Sequence, residues 1–501
     1  MEEEIIEQQK NTAEPAAPAE IAAAKQPNKF GLFLKAAWAK QPFLILMGAA
    51  LILRVLCVFL FKGYRPEMTN AAAAVKRVFE DGVKYYSNNA GGVDYAPGQL
   101  YIFYYIGLFT RWFKLAEGGV WTVFFFKLPN LLADLGIACV IYGFTKKVVN
   151  QKTALGIAAL YLFNPAVLFA FSIWGGTQAV FIFFLILTFR YVLDKKYLKM
   201  CFAYAGAVLF SASALTVAPL LLIALIAVFV KALSAYTGRS QLEKKAPEGV
   251  MNMPQYSAVW KAPVGILAFF VSLLLLCLPF TVKGIDAGGK FGLFSFCKLF
   301  KELSVGLNFF TSNAFSIYMT KNNAAFDSLH GLMIAMYFVM CAILAAVYIM
   351  KRNRANLVLL SAFFYFILAY FMADANPLSA VTGLILLLFA CVAVGDRRLF
   401  GQYLIFSLVC LLNISAVLIS AQYMNNLPDY LLDKTTNTAY GGVAALPKTF
   451  MIVGSVIALL SFLYFMYTAM DITVANRRKI FMPFDRENPH YAFDTFRSIF
   501  K

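Results

Sequence analysis

Histidine is almost missing from this sequence: two residues, His330 and His490, among 501. They stand alone, with no Cys, Asp or Glu cluster at metal-ligand spacing beside them. No cofactor is therefore predicted, and a divalent metal is neither called for nor excluded. Charge is scarce as well. Only 14% of residues are charged, against 61% hydrophobic and 16% aromatic, which excludes a soluble globular protein. The chain has eight cysteines, and Cys57, Cys139, Cys277, Cys341, Cys391 and Cys410 lie inside apolar runs without paired spacing. A disulfide framework is excluded, and these residues read as packing. No internal repeat is visible, and the polar residues gather at one face instead of the midplane, which argues against an alternating-access transporter or flippase. The first residues, MEEEIIEQQKNTAEPAAPAEIAAAKQ, have no apolar core and read as a disordered tail, not a signal peptide.

What is present is apolar sequence in runs of about 18–20 residues, the length that crosses a bilayer as a helix. Spans are predicted near 43–61, 122–144, 154–172, 176–193, 202–215, 218–232, 262–281, 329–350, 355–372, 378–394, 400–420 and 449–470. The expected fold is thus an all-α polytopic bundle of about twelve transmembrane helices. Residues 1–40 form a cytoplasmic tail, 41–470 the membrane domain and 471–501 a basic cytoplasmic tail. Alternate gaps carry Lys146–Lys147, Lys195–Lys196, Lys244–Lys245, Lys351–Arg352, Arg397–Arg398 and Arg477–Arg478–Lys479. The positive-inside rule places these in the cytoplasm with both termini. The net charge of +18 then reflects topology and anionic lipid, and no nucleic-acid partner is expected.

This orientation leaves long outer loops at 62–121, 282–328 and 421–448. A loop of such length with amphipathic segments more often carries function than simple connection. Gln99 to Phe113 reads as an interfacial helix, with its tyrosines at headgroup level. Three short breaks, 173–178, 211–219 and 374–377, fall on the same outer side and could line one cavity. Arg54 and Asp134, each inside a span, are costly there unless paired or facing a cavity, and internal pairing is expected.

Several motifs recur in one order. Lys84-Tyr85-Tyr86 precedes Asp94-Tyr95-Ala96-Pro97-Gly98-Gln99-Leu100-Tyr101, then Lys127-Leu128-Pro129-Asn130-Leu131-Leu132-Ala133-Asp134 follows. After these come Leu160-Tyr161-Leu162-Phe163-Asn164-Pro165-Ala166, Trp174-Gly175-Gly176, Leu278-Pro279-Phe280 and Asn313-Ala314-Phe315. This order resembles the GT-C glycosyltransferases of the polyprenyl-phosphate-sugar-dependent mannosyl- and glucosyltransferase type, including bacterial relatives of the GPI mannosyltransferases. The resemblance implies an inverting hexosyltransferase in a bacterial plasma membrane that uses a lipid-linked sugar donor and a glycan, lipid or protein acceptor. Glu67 then stands where the family's loop-opening carboxylate acts as general base, and Asp94 is either a second catalytic carboxylate or the anchor of its turn. Arg65, Tyr95, Trp174, Gln178, Asn313 and Asp374 become candidate substrate contacts, and Lys76, Arg77 and Lys283 candidate phosphate ligands. The sequence also departs from the pattern. Gln178 replaces an acid, the 211–219 apex lacks its lysine, and 374–377 replaces a charged motif. These losses motivate the alternative of a non-catalytic relative that binds lipid-linked sugar or a partner membrane enzyme.

Overall fold

The computed structural model describes residues 41–88, 94–116, 118–242, 258–282, 298–300, 303, 315–316, 330–351, 353–371, 377–425 and 448–479. The chain divides into a short unit, Met1–Leu46, and the unit Met47–Lys501, to which everything below refers. A backbone in hydrocarbon must satisfy its own polar groups, and a run without regular alternation can do so only as a helix. Helices accordingly follow the apolar runs: α1 Pro42–Leu60, α2 Arg65–Asp81, α3 Pro97–Trp112, α4 Val120–Val148, α5 Gln151–Leu162 and the single turn α6 Pro165–Leu168. They continue as α7 Gln178–Leu193, α8 Tyr197–Phe210, α9 Ala218–Leu242, α10 Ala258–Thr281, α11 His330–Lys351, α12 Arg354–Phe371, α13 Ser379–Val394, α14 Arg397–Asn425 and α15 Lys448–Thr473.

Seven of these helices are long and apolar enough to cross a membrane, and an eighth crossing results if α5 and the segment Pro165–Trp174, bent by 48°, count as one. The other four expected spans lie on shorter apolar helices, Gln178–Leu193, Tyr197–Phe210, Ala335–Met350 and Ser379–Val394. The chain is therefore an all-helical, multi-pass membrane protein. By length, eight of the twelve expected crossings are met.

The centre of the bundle is α12 against α13. Along α13, Ala380 to Val394 are buried without interruption, and α12 is buried from Ala355 to Ile367. Their mean composition leaves no polar stripe, as expected of helices surrounded by protein. On α10 and α15, by contrast, Leu267, Leu275 and Leu460 are each more than 60% exposed, which marks lipid-facing sides.

Two polar clusters lock the amino-terminal helices. Arg54 Nε pairs with Asp134 Oδ2 at 2.5 Å, and both side chains are fully buried. Tyr161 donates to the other carboxylate oxygen at 2.6 Å, and Arg54 Nη1 donates to Leu162 O at 2.8 Å. The intramembrane charges are paired internally, tying α1, α4 and α5 together. Just beyond, Asn164 caps α6 and donates to Tyr403 and Ser407 of α14, which fixes the bend between α5 and α6.

The described residues between α1 and α4 fold onto the span ends. Helices α2 and α3 pack on one another, and α3 also lies against α4, α8 and α10. The run expected as an interfacial helix is indeed helical, beginning two residues earlier at Pro97, whose fixed φ suits a first helical position.

Candidate functional site

Glu67 sits in the first turn of α2, directly after Pro66 at the helix start. A helix amino terminus favours an anion there. Its partner comes from more than a hundred residues away. After α6 the chain widens into a π-helical turn, Phe169–Trp174, and ends at Gly175 and Gly176 with φ of +107° and +80°. The wider turn re-aims Trp174, as such turns often do at functional sites. Trp174 Nε1 donates to Glu67 Oε2 at 2.6 Å, and its ring stacks on Tyr64 at 4.3 Å between centroids. The backbone closes the same joint, with Tyr64 N donating to Trp174 O at 2.8 Å. Gly176 is required by its position: a Cβ would collide with Glu67 Oε1.

Glu67 lines a narrow cleft of about 20 Å³, roughly the room of one water, together with Met68, Tyr95, Gln99, Phe126 and Thr177. Gln99, at the third position of α3, accepts from Ala96 N at 2.9 Å and turns its amide to donate to Thr177 Oγ1 at 2.7 Å. The lining is thus a carboxylate, a phenol, an amide and a hydroxyl on apolar walls. Enclosure raises the Glu67 pKa above the ordinary carboxylate range, and the Trp174 hydrogen bond offsets part of that rise. Tyr64 is pushed up to about 12 by burial first and by the Glu67 charge second. Tyr95 is raised for the same reasons in the same order.

Asp94 takes a different part. It accepts from Arg77 Nη2 at 2.9 Å and from the Tyr85 hydroxyl at 3.2 Å, while the Arg77 guanidinium lies 4.5 Å above the Tyr85 ring. The pair is about one-third exposed on each side. Tyr86 donates to Tyr95 O at 2.7 Å, so the turn ahead of α3 is held at both of its ends. Asp94 anchors the loop that presents Tyr95, and Arg77, a candidate phosphate ligand, is joined to that anchor.

Of the other candidates, Gln178 donates to Leu378 O at 3.2 Å, beside the 374–377 segment. Lys76 is exposed, faces Glu80 at 3.8 Å and is not among the residues that line the cleft. Arg65 begins α2, but its side chain, like Lys283, Asn313 and Asp374, lies outside the described residues. The structure therefore brings Glu67, Tyr95 and Trp174 to one cleft with Asp94 as neighbour. Gln99 and Thr177 line it too, and neither was singled out from the sequence. The available signal was the glutamine three residues into a helix that starts with Pro, a capping position. Among the described residues, no three His, Cys, Asp or Glu side chains gather as a metal site would.

The fold and site define a multi-pass helical membrane protein whose first loop covers an enclosed carboxylate at the span ends. Residues 48–291, just under half of the chain, match the family described as "PIG-U: GPI transamidase subunit PIG-U". The matched stretch contains Glu67, Trp174 and the residues that line the cleft. No curated protein matches by sequence at a significant level. Among solved structures, the crystal structure of ArnT from Cupriavidus metallidurans bound to undecaprenyl phosphate is similar, with a TM-score of 0.41 and 12% identity. The alignment covers 87% of this chain and 78% of that one.

Proposed function

We propose that the protein transfers a hexose from a polyprenyl-phosphate sugar to an acceptor hydroxyl at the Glu67 cleft, on the non-cytoplasmic face. The observation that carries this reading is a carboxylate that lines the cleft beside amide, phenol and hydroxyl groups, with one oxygen held by Trp174. Glu67 takes the acceptor proton as the acceptor oxygen bonds to the anomeric carbon. The bond from that carbon to the phosphate oxygen breaks, and the polyprenyl phosphate leaves with the electron pair. A base so placed contributes about 10²–10⁴-fold. The departing phosphate calls for cations, for which Arg65, Lys76, Arg77 and Lys283 are the candidates on the first two outer loops. A mannose or glucose donor is the expectation from the family resemblance.

A second reading has its own support. The match to a transamidase subunit family, and the commitment of Gln178 and Arg77 to protein partners, favour a lipid-glycan-binding subunit without turnover. One assay separates the two. Purified protein is incubated with radiolabelled polyprenyl-phosphate mannose or glucose and membrane extract, alongside Glu67→Gln. Labelled product that disappears in the variant supports transfer. Saturable donor binding without product in either protein supports the subunit, and neither binding nor product removes both readings.

A further inference from the structure

Lys127 is a fully buried lysine, the eighth residue of the 29-residue helix α4, and no carboxylate is among its hydrogen-bond partners. An uncompensated ammonium at that depth is costly, so something must replace its water. Three carbonyls do. Nζ donates to Phe61 O at 2.7 Å, Ile173 O at 2.9 Å and Ser172 O at 3.1 Å. An ammonium has three protons, and all three are used.

The three acceptors share a property that explains the choice. Phe61 follows the last residue of α1, and Ser172 and Ile173 lie in the last turn of the π-helical segment. Carbonyls at helix carboxyl ends lack intrahelical donors and carry the negative end of the helix dipole. Two such ends converge at Lys127, and one positive charge satisfies both. The neighbouring residue of the same helix completes the work: Asn130 donates to Phe171 O at 3.0 Å and accepts from Ala179 N at 2.6 Å, bridging the π-turn to α7. The residue after Ile173 is Trp174, which holds Glu67, and the residues after Phe61 lead through Gly63 into α2, which carries Glu67.

We infer that Lys127 is the positioning residue of the cleft, clamping both backbone segments that set the Trp174–Glu67 pair and leaving its own charge unavailable to substrate. The functional role rests on the reading of Glu67 given above, but the geometry does not, so the two can fail separately.

The test uses full-length protein in lipid nanodiscs with 5-fluorotryptophan, the Trp174 fluorine resonance being assigned by its loss in Trp174→Phe. In the unmodified protein this resonance should move with pH as Glu67 ionises, and Glu67→Gln should abolish the movement. Lys127→Met, similar in length but uncharged, should shift the resonance and reduce its pH response several-fold, whereas Lys127→Arg should retain most of it. A Lys127→Met spectrum with native position and full pH response overturns the inference. If Lys127→Met does not fold, Lys127→Gln carries the same readout and the same overturning result. Sugar transfer is measured in parallel: its absence from every protein with the resonance response intact would count against the enzyme reading and leave the clamp standing.

Discussion

At the scale of single residues, Glu67 and Asp94 divide the work that a sequence reader assigns to either. Both are acids in one loop, yet one is enclosed against an indole and the other is a partly exposed ion pair. Because enclosure raises the Glu67 pKa, the folded protein holds that proton more tightly than the unfolded chain. The resulting stabilisation is present at low pH and is lost as pH rises through the raised value. Glu67→Gln retains an oxygen for Trp174 and removes the buried charge. Its melting temperature should therefore exceed that of the unmodified protein at neutral pH and converge with it in acid. Its turnover should fall at least about 100-fold. On the transfer reading, kcat/KM of the unmodified protein should rise with pH along a limb set above the ordinary glutamate range, since the base works only when deprotonated. Asp94→Asn should behave otherwise. Its bond to Arg77 is about one-third exposed on each side, so the loss should be no more than about 1 kcal/mol in chemical denaturation, with less than tenfold change in turnover.

At the scale of elements, the decisive piece is the π-turn with its two glycines. Gly176→Ala places a Cβ against Glu67 Oε1 and a side chain at φ +80°, a conformation that costs about 1–2 kcal/mol by itself. Turnover should drop to the level of Glu67→Gln while the protein still folds, as judged by circular dichroism and gel filtration. The clamp of α1, α4 and α5 calls for the opposite design. Arg54→Met or Asp134→Leu alone leaves a buried charge unpaired and should cost about 3–5 kcal/mol in detergent unfolding, whereas the double variant should recover much of that loss. Much of this scale was legible from composition. Apolar run lengths foretold where helices stand, the Arg54 and Asp134 pairing followed from the cost of charge in a span, and Pro97 marked the start of α3. The π-turn was not legible, because its own end and the distant end of α1 are brought together only at Lys127. That lysine was visible only as a motif letter, although a lysine within an apolar run was itself a signal. Glu67 and Trp174 were each singled out, but nothing local joins residues so far apart in sequence.

Across the whole membrane unit, the side chains sort by end, and this is where the positive-inside reading meets its test. Helix α4 runs from the neighbourhood of the cleft to Lys147, which pairs with Asp194 at 3.5 Å; α7 runs from Gln178, beside the cleft, to that same Asp194. At this far end Arg398 bridges Asp396 and Asp471, Arg397 N donates to Lys479 O at 2.9 Å, and Arg478 donates to Asn356 at 3.3 Å. Groups as far as 122 residues apart are therefore joined at this end, and none of these bonds reaches the Glu67 cleft. Such sorting is what a cytoplasmic end rich in Lys and Arg would produce in a bundle oriented by its charges. Single cysteines at Lys84 and Lys114, on the loop that covers the cleft, should then react with a membrane-impermeant maleimide added to intact cells. Cysteines at Lys195 and Arg477 should react only after permeabilisation. Labelling of Lys195→Cys in intact cells would invert the orientation and move the cleft to the cytoplasm, where a donor on the opposite leaflet could not reach Glu67. Cys201, Cys277, Cys341, Cys391 and Cys410 are buried, whereas Cys57 is half-buried and Cys139 exposed, so the experiment is run in a variant with the native cysteines replaced. The same experiment thus decides which leaflet can supply the lipid-linked sugar.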